Sequence, residues 1–389
     1  MESVISNIYS LPYYIIFIAL FCLAIVVNSK SFKQKKKETY LSFILLVVFI
    51  GLRGYVYSDW ISYLAFFKEV PLLFDLQFCD LTERFIFEPG FIVYTSCIKS
   101  ICNNFHFFIF LSSLIDLWIL LYAFEKYLKN PLLGFAMFFA INGLSMEFNL
   151  LRNMKSIMLF LISLRFIQEK SFFKYLICNS IGFFFHQTSL IYIPLYFVLG
   201  KNWSRKFIIL LFVFANLIYL FQIPICQPII LKIVELVGGD IMIRKAISYF
   251  TSNVEYGFSI AYIERVIIFL IVLSFYSRIT IRKTNLLFVN IFVLYFLMYS
   301  LCWDMNIVSA RGSILFILGY WFVIPLIVEN ISIKRNLILF YAYIFFICSY
   351  KVVLNNNNIM ARYDNLLFGI ESVEKRTDVL NRNLHNLLK

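Results

Sequence analysis

The chain has 389 residues, of which 61% are hydrophobic, 20% aromatic and only 15% charged. A soluble domain carries about 25% charged and 45–50% apolar residues, so this composition, with a mean hydropathy of +0.82, excludes a water-soluble protein and points to a polytopic membrane protein. The formal net charge of +13 is not a nucleic-acid footprint. Its lysines and arginines sit in short segments between apolar runs, the positive-inside pattern, which also attracts anionic lipid.

The first apolar run, Leu11–Val27, has no basic region before it, and a cluster (Lys30, Lys33, Lys35, Lys36, Lys37) follows it. It reads as a retained first span rather than a signal peptide. Further candidate spans follow at 40–53, 106–124, 132–147, 151–167, 172–186, 188–200, 206–222, 259–276, 285–302, 312–328 and 336–353. The expected fold is therefore all-α: one integral membrane domain over 1–389, a transmembrane helix bundle of about twelve spans. Several runs are shorter than the ~20 residues that a spanning helix needs, so some pack inside the bundle or beside thinned bilayer. Basic clusters at 30–37, Lys126 and Lys129, Lys170 and Lys174, 201–206, 278–283 and Lys334-Arg335 all face the cytoplasm if twelve spans alternate from an outer N-terminus. Segment 88–102 is then one too many and reads as re-entrant or lying at the outer surface. This orientation leaves two long outer loops, an acidic one over about 54–85 and a second over about 223–258, whose stretch 228–237 reads as an interfacial helix. The C-terminal tail, 355–389, falls outside as well, with a charge bias too weak to decide it. Of the eight cysteines, Cys79 alone lies in a polar loop where a disulfide partner is within reach, and none has metal-ligand spacing.

The residue with the sharpest chemical implication is Arg152. A guanidinium at or near membrane depth costs at least about 2.5–3.5 kcal/mol and marks a functional site by default. Lys155, three positions on, shares its helix face, and two adjacent cations repel unless something negative intervenes. Glu147 is one candidate partner; a phosphate or pyrophosphate suited to the arginine fork is the other. Arg53 ends the second run, and Asp59 and Tyr63 follow it. Arg53 and Asp59 either pair with one another, bind a ligand, or play structural parts, Arg53 snorkelling to the headgroups and Asp59 capping a helix over 60–68. Glu88-Pro89-Gly90 has the form of a helix start. His186 sits where two short runs meet at the outer face, placed either to move a proton or to bond a helix-end carbonyl. Asp304 and Arg311 flank a short outer turn, either as a bridge to one another or with Arg311 joining Arg152. No Walker loop, dinucleotide glycine fingerprint, HExxH or GxSxG motif is present at a credible position.

Taken in order, these pieces resemble the EpsG family of bacterial polysaccharide-assembly proteins, which includes Wzy-type O-antigen and capsule polymerases. The matching stretches are Gly51-Leu52-Arg53 with Asp59 and Tyr63, then Glu88-Pro89-Gly90-Phe91, then Arg152. Phe185-His186 with Ser189-Leu190-Ile191 follows, then Arg311 before an apolar run ending near Pro325, and last Tyr363-Asp364-Asn365-Leu366-Leu367. They extend over about 51–367. Two departures stand out: Tyr57 occupies a position where the family often has glycine, and Asn153-Met154-Lys155 follows Arg152 where the family often has glutamine and small residues.

The resemblance implies a multi-pass inner-membrane glycosyltransferase of the polymerase type, working at the outer leaflet. It would join oligosaccharide repeat units carried on undecaprenyl pyrophosphate, for O-antigen or capsule, and needs no cofactor or metal. Arg152 and Arg311, with Arg53 and Lys155 behind them, are expected to hold the pyrophosphate. Asp59 or His186, with Glu88 as second choice, is expected to act as base. Implied partners are the lipid-linked oligosaccharide, membrane lipid, a chain-length regulator and other assembly proteins, with no nucleic acid. Competing readings are a transferase adding single sugars to a lipid-linked unit and a flippase or exporter of that unit; the missing internal repeat weighs against the latter.

Overall fold

The structure is a computed structural model that describes residues 4–28, 32–237 and 259–387. The described residues are all-helical and contain no strand, only isolated bridges. In chain order the helices are α1 Leu11–Asn28, α2 Phe32–Leu46, α3 Trp60–Glu69, α4 Pro89–Ile101, α5 Phe105–Tyr127, α6 Pro131–Phe138, α7 Leu144–Phe148, α8 Leu151–Gln168 and α9 Phe172–Phe185. After them come α10 Tyr196–Leu199, α11 Arg205–Leu220, α12 Cys226–Val237, α13 Ile260–Ile279, α14 Lys283–Leu301, α15 Asn306–Ile314, α16 Leu318–Asn330, α17 Lys334–Asn355 and α18 Val373–Leu387.

Local sequence explains where many of these helices start. Asn104 accepts from the His106 and Phe107 amides ahead of α5, and Asn130 accepts from Leu133 N with Pro131 in the first turn of α6. Ser204 and Ser259 do the same for α11 and α13. Each such residue satisfies an amide that the helix itself leaves unpaired. Between α6 and α7 the chain kinks at Ile141 and Asn142, the latter at φ 62, a left-handed conformation that asparagine tolerates better than most residues.

Every one of the twelve apolar runs read from the sequence coincides with helical structure, and 88–102 becomes the short helix α4. Length and composition are a stricter test. Among the described residues five helices are long and apolar enough to cross a membrane: Phe105–Tyr127, Pro131–Phe148, Ile260–Ile279, Lys283–Leu301 and Lys334–Asn355. A sixth is added if Val308–Ile314 and Leu318–Asn330, bent by 55°, form one broken span. The protein is therefore a multi-pass, all-helical membrane protein. The shorter apolar helices Leu11–Val27, Phe172–Phe185 and Gln187–Leu199 fall below that length; the 3-10 segment Gln187–Leu195 follows the second and makes up most of the third. Helix α12 covers the expected interfacial stretch, while residues 238–258 of that loop lie outside the described residues.

The chain falls into two compact units, Met1–Tyr196 with Arg335–Lys389, and Phe197–Lys334. Several buried polar groups inside each unit are bonded between helices, which a membrane interior favours. Asn130 Nδ2 donates to Ala24 O at 2.9 Å, and Asn179 Nδ2 to Ser163 Oγ at 3.0 Å. In the second unit Asn290 Nδ2 donates to Leu199 O at 2.8 Å.

The tail is a structural part of the first unit, which its weak charge pattern did not indicate. Gly54 N donates to Asp364 O at 3.1 Å, Leu366 N to Leu52 O at 2.8 Å, and Tyr57 N to Met360 O at 2.8 Å. Tyr363 stacks on Phe49 with ring centroids 4.2 Å apart, and its hydroxyl donates to Phe49 O at 2.7 Å. Arg376, 2% exposed, pairs with Asp364 at 3.1 Å and with Glu371 at 2.9 Å. A Cβ on Gly54 would overlap the Asp364 carboxylate, so only glycine lets the chain pass there. The tail thus braces the segment that leads from α2 to Asp59.

Candidate functional site

Helix α3 presents Ser62, Tyr63, Phe66 and Glu69 along one side, with Asp59 just before its first residue, a spacing of three and four residues that keeps them on a single face. That face is one wall of an open cleft of about 490 Å³ in the first unit. The segment Arg84-Phe85-Ile86-Phe87 and the side chain of Arg152 complete it. Its lining is strongly aromatic. Phe66 lies 4.4 Å from Phe87 and 5.2 Å from Phe85, and Tyr63 stacks on Phe87 at 5.9 Å between centroids. Such surfaces pack against the C–H faces of sugars and against prenyl chains, while carboxylates and guanidinium groups at the edge handle polar atoms.

Arg152 has found a partner that the sequence did not pair it with. Its Nη1 lies 2.5 Å from Glu88 Oε2, and the guanidinium sits 4.8 Å from the Phe87 ring. The arginine side chain is 26% exposed and the glutamate 10%, so the pair is anchored at the carboxylate and open toward the cleft. Arg152 Nε has no hydrogen-bond partner among the described residues. Glu88 is the N-cap residue of α4 but does not cap with its side chain, and Pro89 fills the first turn as expected. The carboxylate is thereby released for Arg152. Gly90 fixes this helix start in place: a Cβ there would lie 2.7 Å from Phe184 O, at the end of α9.

Asp59 reaches the same cleft through Asn149, which the sequence reading did not single out. Asn149 Oδ1 accepts from Ser58 N and Asp59 N, each at 3.3 Å, and Tyr63 Oη donates to Asn149 O at 3.0 Å. The break before α8 is thus clamped to the start of α3, and this clamp brings Asp59 and Arg152 together. The available signal was a polar residue between two apolar runs, three positions before Arg152. Asp59 is the N-cap residue of α3, as expected, yet makes no side-chain cap; its Oδ1 instead accepts from Ser58 Oγ at 2.9 Å. Burial pushes the Tyr63 hydroxyl up to about 12, with Arg152 partly offsetting it, so it is a hydrogen-bond donor at neutral pH. Farther along the loop, the Gln77 amide and Arg84 hold the Asp80 carboxyl below its ordinary value, and Arg84 Nη1 lies 2.9 Å from Asp80 Oδ1. Tyr57, two residues before Asp59, has φ 65, the left-handed region that favours glycine.

Two further cations lie deeper. Arg53 is 4% exposed and does not snorkel. It donates to Ile50 O at 2.6 Å, Ser113 Oγ at 3.2 Å and Glu147 O at 2.5 Å, and lies 4.4 Å from the Phe148 ring. Lys155 Nζ is 2.5 Å from Asp116 Oδ2 and donates to Ser112 O at 2.7 Å. Arg152 and Lys155 therefore avoid mutual repulsion by each taking a carboxylate from a different helix, α4 and α5. Glu147 pairs with neither; its carboxylate is fully buried and lacks hydrogen-bond partners among the described residues.

His186 closes α9 and is half-buried. Its Nδ1 lies 2.7 Å from Thr188 Oγ1, which in turn donates to Asn153 Oδ1 at 3.2 Å. The histidine is thus linked to the start of α8 beside Arg152 and is not among the residues that line the cleft. Arg311 belongs to the second unit, exposed on α15. Asp304 is turned to a different partner, its Oδ2 accepting from Gln227 N at 2.8 Å. Among the described residues no group of three or more His, Cys, Asp or Glu side chains is arranged to hold a metal ion.

No curated protein and no solved structure matches this chain. A family model does, over residues 38–365, a stretch that includes every part of the cleft and the buried cations beneath it. By that match the chain belongs to the EpsG family, a family of Wzy-like polysaccharide polymerases.

Proposed function

We propose that this membrane protein joins oligosaccharide repeat units carried on undecaprenyl pyrophosphate, at the outer leaflet of the bacterial inner membrane, for O-antigen or capsule. The observation that carries the reading is Arg152, held by Glu88 at the edge of an aromatic cleft that also contains Asp59. In the reaction, Asp59 takes the proton of the acceptor hydroxyl, and that oxygen attacks the anomeric carbon of the donor chain. The bond from that carbon to the carrier breaks, and the pyrophosphate departs with the bonding electrons. Arg152 stabilises the charge that develops on it, supplying preorganised donors where charge appears. Glu88 orients the guanidinium, whose exposed side faces the cleft and the ligand. An activated donor makes ATP and nucleotide sugar unnecessary.

Arg53 and Lys155 fit positioning roles, because their charged ends are buried and held by protein partners. His186 is the second candidate base, and Arg311 a second candidate cation for pyrophosphate. The test is a deletion strain complemented with single variants and read by gel analysis of surface polysaccharide. A polymerase defect leaves single units displayed outside, with Arg152→Ala and Asp59→Asn failing to restore the ladder. Units missing one branch sugar would identify a single-sugar transferase, and units trapped on the inner leaflet an exporter; either overturns the reading.

A further inference from the structure

The second unit brings together two thiols that are 76 residues apart in sequence. Cys226 opens α12 and Cys302 caps the C-terminal end of α14. Their Sγ atoms lie 2.9 Å apart, and both are free thiols here. Cys79, the cysteine that the sequence places within reach of a partner, has its Sγ hydrogen-bonded among the described residues to Gln77 Oε1, at 3.7 Å.

The surroundings hold the pair in register. Gln227 N donates to Asp304 Oδ2 at 2.8 Å, Trp303 Nε1 donates to Ile223 O at 2.9 Å, and Cys226 Sγ lies 3.5 Å from Leu301 O. Segments 223–227 and 301–304 are thus clasped by polar contacts on both sides of the sulfurs. A sulfur separation below van der Waals contact, in a clasp of this kind, needs only a small side-chain adjustment to reach the ~2.05 Å of a covalent bond.

Charge indicates the compartment. Helix α11 begins beside Lys201, Arg205 and Lys206, and Cys226 lies beyond its opposite end. Helix α14 begins at Arg282-Lys283, and Cys302 lies beyond its opposite end. In both helices the cations mark the cytoplasmic end, which puts both cysteines at the other face, where disulfides form and persist.

We propose that Cys226 and Cys302 are joined by a disulfide in the membrane-inserted protein. One thiol loses its proton and attacks the sulfur of an oxidant that carries a disulfide, a thiol–disulfide oxidoreductase of the cell envelope. The second thiol, also deprotonated, displaces the oxidant from the mixed disulfide. The two cysteines lose two electrons and two protons, and the oxidant's disulfide becomes two thiols. The bond closes the loop that contains α12, residues 238–258 and α13, and so constrains the unfolded chain over that length.

The test uses the full-length protein in membranes from expressing bacteria, precipitated with acid, dissolved in SDS with N-ethylmaleimide and digested without reductant. Mass spectrometry should recover a cross-linked peptide joining Cys226 and Cys302, lost after dithiothreitol, while Cys79 is recovered alkylated. Cys226→Ser should leave Cys302 alkylated. Recovery of both cysteines alkylated from unreduced wild-type membranes overturns the proposal, as does a link from either one to Cys79. The wild-type readout needs no activity and no variant that folds.

Discussion

The buried pair beneath the cleft offers a quantitative test. Lys155 and Asp116 have side chains 6% and 0% exposed, with Nζ and Oδ2 2.5 Å apart. At an effective dielectric near 20 their attraction is about 4 kcal/mol or more, and the desolvation of two ions cancels most of it. The pair therefore adds little net stability, whereas stranding one member costs about 3–5 kcal/mol. Asp116→Asn and Lys155→Met should each lower the thermal midpoint of detergent-purified protein by roughly 6–20 °C, taking roughly 2–4 °C per kcal/mol. The double variant Lys155→Met/Asp116→Leu should recover to within a few degrees of wild type, because an apolar pair of similar volume replaces both charges. Tryptophan fluorescence during a thermal ramp reads all four proteins. Additive losses in the double variant would refute the pairing. A Lys155→Met protein of unchanged midpoint that makes no polymer would instead assign Lys155 to the ligand.

Three further outcomes follow from local geometry. Gly90→Ala places a Cβ 2.7 Å from Phe184 O; it should cost about 1–3 kcal/mol and, by shifting Glu88, reduce polymer yield more than a surface glycine substitution of equal melting loss. At Tyr57, with φ 65, glycine relieves a left-handed penalty of about 1–2 kcal/mol that alanine keeps. Tyr57→Gly should therefore melt above Tyr57→Ala even though both lose the hydrogen bond to Asn356, and the reverse order would contradict the backbone argument. The Asp80 carboxyl is held below its ordinary 3.8, so its contribution to the 77–84 turn is present above that pH and lost as pH falls through the lower folded value. Hydrogen-exchange protection over 77–84, taken relative to the intrinsic rate at each pH, should fall in acid for wild type, and Asp80→Asn should show no such step.

Much of the helical architecture could be read from one sequence, because helix positions depend on local composition, although five or six helices among the described residues, not twelve, are long and apolar enough to span. Apolar runs, asparagine and serine caps, and Glu88-Pro89 at the start of α4 are short-range signals. Arg152 was legible as an expensive charge, and Tyr57 as a departure at a position where the family often carries glycine, which its left-handed φ explains. Pairing was not legible. Glu88 and Arg152 are 64 residues apart and Asp116 and Lys155 are 39, and nothing in hydrophobic periodicity ranks one distant carboxylate above another. Glu147 was the natural choice for Arg152 because it is near in sequence, but the bend between α6 and α7 and the break before α8 turn it inward. Helices apolar on all sides also carry little directional signal, so the return of the tail to Phe49 and Gly54 had no visible cue.

The role proposed for Arg152 is to serve the pyrophosphate of a lipid-linked donor in a polymerising reaction. It is tested most directly with purified protein and the lipid-linked units extracted from a deletion strain, resolved on a gel after incubation. Wild type is predicted to convert single units into a ladder, with Arg152→Ala slower by about 10²–10³, the loss typical of removing one preorganised donor to a developing anion. An Arg152→Ala protein that builds the same ladder at the wild-type rate would contradict the account.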